Sequence, residues 1–130
     1  MKPARLNTIN ITRSSAAMEA FSFTYTEPAG DSGDDVETAL DLSQYDDVRM
    51  QVRNGESYEA DLVYTLDLTD GITIAGDDNE QLNLEHSSNH TELFEADGEY
   101  WRDIMLVVGD ESFIVARGKI NVQFNITEKP

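Results

Sequence analysis

The sequence predicts an all-β fold, a two-sheet sandwich with one short helical turn near residues 89–96. Three observations carry that prediction. Apolar residues alternate with polar ones from end to end, no helical period lasts beyond two turns, and turn-forming pairs such as Asn54-Gly55, Asp70-Gly71 and Gly109-Asp110 punctuate the runs. A length of 130 residues suits one domain, 1–130, with a core large enough to need no covalent staples.

Taken in order, residues 5–12 form the first predicted strand, with a possible change of face between Leu6 and the pair Ile9 and Ile11. In the second, Phe21, Phe23 and Tyr25 point one way and Ser22, Thr24 and Thr26 the other. An acidic loop over 27–38 follows, broken by Pro28, Gly30 and Gly33. Residues 47–53 set Val48, Met50 and Val52 inward against Arg49, Gln51 and Arg53 outward. Asn54-Gly55 then offers the φ > 0 positions of a tight hairpin, whose return strand carries Leu62, Tyr64 and Leu66.

Ile72 and Ile74 mark a short strand and Leu82 and Leu84 another, joined by the turn at 75–80. Over 89–98 the rhythm breaks: Asn89 can cap a helical turn with Glu92 three residues on, Leu93 and Phe94 give it apolar contacts, and Asp97-Gly98 ends it. Residues 99–108 and 112–118 then form a long hairpin that runs on through 119–126, where Ile120, Val122, Phe124 and Ile126 share a face. Seven to nine short strands at this spacing point to an immunoglobulin-like topology, argued from strand count alone because the chain has no cysteine for the inter-sheet disulfide of antibody domains.

Charge bounds function. With 26 acidic residues against 9 basic, the net charge is −17, which disfavours nucleic acid and anionic membranes as partners. The absence of cysteine removes disulfides, thiolate metal sites and a cysteine nucleophile. With no secretion signal and no apolar run long enough to span a bilayer, the expectation is a soluble protein made in a cytosol.

No residue pattern supports catalysis: a phosphate loop, a nucleophile elbow and a Ser/His/Asp order are all missing. His86 and His90 have the i, i+4 spacing of two metal ligands on one helix face, yet His86 falls before the predicted helix, in a solvated turn. The clusters at 31–35 and 77–80 offer oxygen ligands of the kind Ca²⁺ takes, without the twelve-residue loop pattern, and ordinary acidic loops account for both. No cofactor and no metal are expected.

Two outward features remain. If Tyr100, Ile104 and Leu106 face the core, then Trp101, Met105 and Val107 emerge as an apolar stripe on the other side, a candidate subunit contact. Arg49 and Arg53, two of the few cations, sit on one outward strand face, with Glu59 and Asp61 of the return strand as expected cross-strand partners.

Along the chain, Asp41, Leu42, Ser43 and Tyr45 precede a strand rich in Arg, Met, Gln and Val at 49–53. Gly71 and Ile72 open a short strand, Gly98, Tyr100 and Asp103 follow the helical turn, and Gly118-Lys119 opens the last strand. This order, from about Ile9 to Ile126, resembles the immunoglobulin-like virion structural proteins of tailed bacteriophages, akin to the amino-terminal module of baseplate upper proteins. The acidic loop at 27–38 and the apolar Trp101, Met105 and Val107 depart from that pattern. The resemblance implies a non-catalytic virion protein in the tail, the baseplate or on the capsid surface as decoration or fibre attachment. Its implied partners are other phage structural proteins in a multi-copy or homo-oligomeric assembly. Two other classes compete: an acidic decoy imitating DNA, and a carbohydrate-binding module at a fibre tip with Trp101 or Tyr58 as stacking platforms.

Overall fold

A computed structural model describes residues 4–27 and 36–124; residues 28–35 of the acidic loop and Ile126 lie outside the described residues. Among the described residues eleven strands are formed in chain order: β1 (Ala4–Arg5), β2 (Ile9–Thr12), β3 (Ala17–Ser22), β4 (Thr24–Glu27), β5 (Val36–Ala39), β6 (Asp47–Arg53), β7 (Leu62–Leu66), β8 (Ile72–Ala75), β9 (Gln81–His86), β10 (Gly98–Val108) and β11 (Glu111–Gln123). A 3-10 turn spans Leu42–Gln44, and α1 spans Ser88–Thr91.

The large sheet runs β1-β11-β10-β6-β7, with β2 also on the outer edge of β11; the small sheet runs β3-β9-β8; β4 and β5 make a separate hairpin. The chain therefore passes between layers four times, the last passage leading into the β10–β11 hairpin. Strand order, with the first strands parallel to the last, is that of the immunoglobulin-like sandwich, the small sheet standing as B-E-D and the large one as G-F-C-C′. The core lies between the sheets: Val48, Met50, Val52, Leu66, Ile104 and Leu106 from the large one meet Leu82, Leu84 and Ile72 from the small one.

Strict alternation builds this core. Along β10, Tyr100, Arg102, Ile104 and Leu106 are buried while Trp101, Asp103, Met105 and Val107 are only half-buried on the far side. A bulge opposite Ile104 and Met105 slips β11 by one residue, so Val115 and Ala116 are buried consecutively. Phe94 is wholly buried between the rings of Tyr64 and Tyr100, at centroid distances of 5.4 and 4.6 Å. The Tyr100 hydroxyl donates to the carbonyl of Ala96 at 2.7 Å, the tyrosine corner that pins this connection in such sandwiches.

Local chemistry departs from expectation in several places. The first predicted strand is two short ones, because the chain leaves the edge of β11 between Leu6 and Ile9. Asn54-Gly55 makes no tight hairpin. The connection extends to Asp61, whose N–H is held by the Asn54 side chain and whose carbonyl accepts from the Asn54 N–H, so β7 begins only at Leu62. Of the three apolar residues on that strand, Tyr64 and Leu66 are buried but Leu62 is exposed, because the register slips between Val52 and Arg53.

The sharp reversal lies instead at Asp67–Asp70, where Asp67 accepts from the Thr69 N–H and hydroxyl, and it carries the chain from one sheet to the other. Gly71 there has φ +97°, and a Cβ would meet the Glu85 carbonyl at 2.8 Å, so only glycine fits. The helical turn also starts earlier than expected. Ser87, not Asn89, is its cap, in a capping box with His90, and Leu93 points to solvent.

Candidate functional site

Because residues opposed in register share a face, the ladders place the sequence-predicted contact residues together on the outside of the large sheet. Trp101 lies between Arg53 on β6 and Lys119 on β11; Asp103 between Gln51 and Arg117; Met105 between Arg49 and Ile114; Val107 between Asp47 and Ser112. Trp101, Met105 and Val107 thus form a half-buried stripe, broken by Asp103 and flanked by cations. Arg5, in register with Arg117 across the parallel edge, adds a further guanidinium. Beside Trp101 the edge opens into a groove of about 520 Å³, lined by Arg5, Thr8, Glu56, Arg117 and Lys119 among others.

The arginine partners differ from expectation. Glu59 and Asp61 stand in the long connection before β7 and do not reach the arginines. Arg49 Nε instead donates to Asp47 Oδ2 at 2.8 Å along its own strand. Arg53 donates to the Gln51 side chain at 2.8 Å and to the Ala60 carbonyl at 3.0 Å. Arg117 Nε meets Asp103 at 3.2 Å, and Lys119 stands 3.7 Å from Glu99 and 5.8 Å from the centre of the Trp101 ring. Burial pushes the Asp103 carboxyl above its ordinary value, against the pull of Arg117 and Arg53.

A second constellation was missed by the sequence reading. Between the sheets, Glu19 of β3 accepts from Arg102 Nη1 of β10 and lies 2.9 Å from His86 Nε2; the other ring nitrogen of His86 lies 2.7 Å from the Tyr64 hydroxyl of β7. Arg102 Nη2 donates to the Asn7 carbonyl at 3.1 Å, while its Nε is buried without a partner. His86, expected in a solvated turn, is 0% exposed at the end of β9. An imidazole with its proton on Nε2 satisfies both contacts, donating to Glu19 and accepting from Tyr64.

Desolvation would raise the Glu19 pKa, but hydrogen bonds from His86 and Arg102, together with the Arg102 charge, hold it below the ordinary value. Burial drives the Tyr64 hydroxyl far above the usual phenol range. That hydroxyl keeps its proton, and the Glu19–Arg102 pair ties β3 of the small sheet to β10 of the large one as an inter-sheet clamp. Its placement explains the role: Arg102 is two residues after the corner tyrosine, where antibody domains place the second cysteine of the inter-sheet disulfide. An ion pair stands in for a covalent link.

The histidines are not brought to a common ligand. Nδ1 of His90 is held by Ser87 and its Nε2 lies 3.1 Å from Asp70, while the His90 ring stacks on Tyr64 at 5.3 Å. Among the described residues no three His, Cys, Asp or Glu side chains are grouped to hold a metal ion, and no helix is long and apolar enough to cross a membrane. The acidic cluster at 31–35 lies outside the described residues. Tyr58 is 79% exposed in the 54–61 connection, away from the stripe's ladder positions.

No known family model matches the chain, and no curated protein does. Among solved structures it is similar to the NK cell receptor NKp44, described as a triggering partner in natural cytotoxicity, at 14% identity and a TM-score of 0.30 over 95% of this chain and 100% of that one. A likeness at that level carries no argument about function.

Proposed function

We propose that the chain is a bacteriophage virion structural protein, a non-catalytic immunoglobulin-like module gripped by neighbouring subunits in the tail, the baseplate or on the capsid surface. The observation that carries this reading is the outer face of the large sheet. On a chain of net charge −17, it joins Trp101, Met105 and Val107 to Arg49, Arg53, Arg117 and Lys119 on a rigid scaffold. Trp, Met and Arg are the residue types enriched where protein surfaces meet. The order of strand and turn motifs that resembles the phage proteins supports the same reading, and the polar cluster with the most unusual chemistry is sealed in the core.

Mass spectrometry of purified particles tests it. The protein is expected among the stoichiometric virion components. Its absence from particles that are otherwise complete would overturn the assignment.

A further inference from the structure

We propose that the outer face of the large sheet is a self-association surface, meeting the same face of a second copy of this chain. The inference rests on the reading of that face as a subunit contact and names its partner.

Charge selects the face. Two copies that each carry −17 repel at almost any approach. Of the seven basic residues among the described ones, Arg5, Arg49, Arg53, Arg117 and Lys119 stand on this one face. Arg102 is buried, and Arg13 donates to the Phe94 carbonyl. Interleaved with the five cations are Asp47, Asp103 and Glu99, so the patch mixes both signs with a slight positive excess while the rest of the molecule is strongly acidic. The outside of the small sheet is the contrast: the alternate residues of β3, β8 and β9 put Met18, Thr73, Asn83 and Glu85 there, and no cation.

Mixed charge also selects the occupant. Arg49, Arg117 and Lys119 already face carboxylates of their own sheet, which leaves a uniformly acidic partner little to gain. A second copy presents the same interleaved signs around the same apolar stripe. A two-fold contact makes such a patch complementary to itself. Trp101, Met105 and Val107 then supply the water-excluded centre and the ion pairs the rim.

Sedimentation equilibrium of the full chain at about 0.05 and about 0.5 M NaCl is the test, because the Debye length falls several-fold across that range. The expected result is a monomer–dimer equilibrium that tightens several-fold at the higher salt, where long-range repulsion is screened and the apolar centre persists. Met105→Asp is expected to abolish the dimer. Arg49→Glu, at an exposed position that folding tolerates, is expected to weaken it at least about tenfold, with an unchanged circular dichroism spectrum.

A monomer at both salts up to about 1 mM would overturn the proposal, as would a dimer that loosens with salt or is indifferent to both substitutions. A monomer that still enters particles would sink this inference alone. A dimer absent from particles would sink the virion assignment alone.

Discussion

The two sides of β10 carry the same chemistry to opposite ends. Inward, Arg102 is 1% exposed and tied to Glu19 of the other sheet; outward on the neighbouring strands, Arg49 and Arg117 pair with Asp47 and Asp103 in partial contact with water. A buried pair has surrendered its hydration, so removing one partner leaves an uncompensated charge and is costly, whereas water replaces the loss at an exposed pair. The inner arginine therefore belongs to folding, while the outer ones contribute little to it and stay in contact with water.

The comparison is broken most severely from the inside. Arg102→Ala is expected to cost about 3–5 kcal/mol of stability in urea unfolding, since Glu19 is stranded beside His86. Replacing both, as Glu19→Leu with Arg102→Met, is expected to recover most of that loss, because an apolar pair of similar volume carries no desolvation penalty. A double variant as unstable as the single one would show that the cost came from packing against Phe21, over which the guanidinium lies at 5.6 Å.

Acid probes the same cluster without mutation. The Glu19 pKa is lower in the folded protein than its ordinary 4.5, so its contribution is fully present above that value and is lost as pH falls through the folded pKa. Unfolding midpoints measured from pH 6 down to about pH 3 are expected to fall steeply below about 4.5, and the slope is expected to flatten in Glu19→Leu with Arg102→Met. An equally steep fall in that double variant would place the acid sensitivity elsewhere among the carboxylates.

From the outside the effect on folding is smallest. Arg49→Ala is expected to change stability by less than about 0.5 kcal/mol, since the Asp47 pair sits on one strand in water with the Arg49 side chain 46% exposed. A loss above about 1 kcal/mol in the same urea series would mean that this pair holds the sheet together after all.

Why the fold was legible and the clamp was not follows from what alternation encodes. Period two in 47–53 and 99–108 fixes which residues point inward, and β6 and β10 occupy those spans almost to the residue. The same alternation places Arg102 between Tyr100 and Ile104 on the core side. That was the available signal: a cation at a core position demands an anion across the sandwich.

Which anion answers it depends on the packing of β3 against β10, 83 residues apart in sequence, and nothing local singles out Glu19 from 25 other acids. Turns were read less well for a similar reason. Asn54-Gly55 has the composition of a tight hairpin, but the Asn54–Asp61 bonds close a longer loop, and such bonds are invisible to dipeptide rules. The outer stripe was legible because Trp101, Met105 and Val107 break the polar side of an alternating strand. The partners of Arg49 and Arg53 were not, because they depend on where β7 begins.

The most direct measurement on the division between an inner clamp and an outer working face pairs two readouts on Trp101→Ala: the amount of variant recovered in purified particles and its urea midpoint as a free protein. Recovery is expected to fall at least about tenfold while stability drops by no more than about 1–2 kcal/mol, since the ring is only half-buried and packs on no core residue's side of the sheet. Full recovery in particles together with a loss of about 3 kcal/mol or more would contradict the account, and would make Trp101 part of the structural core.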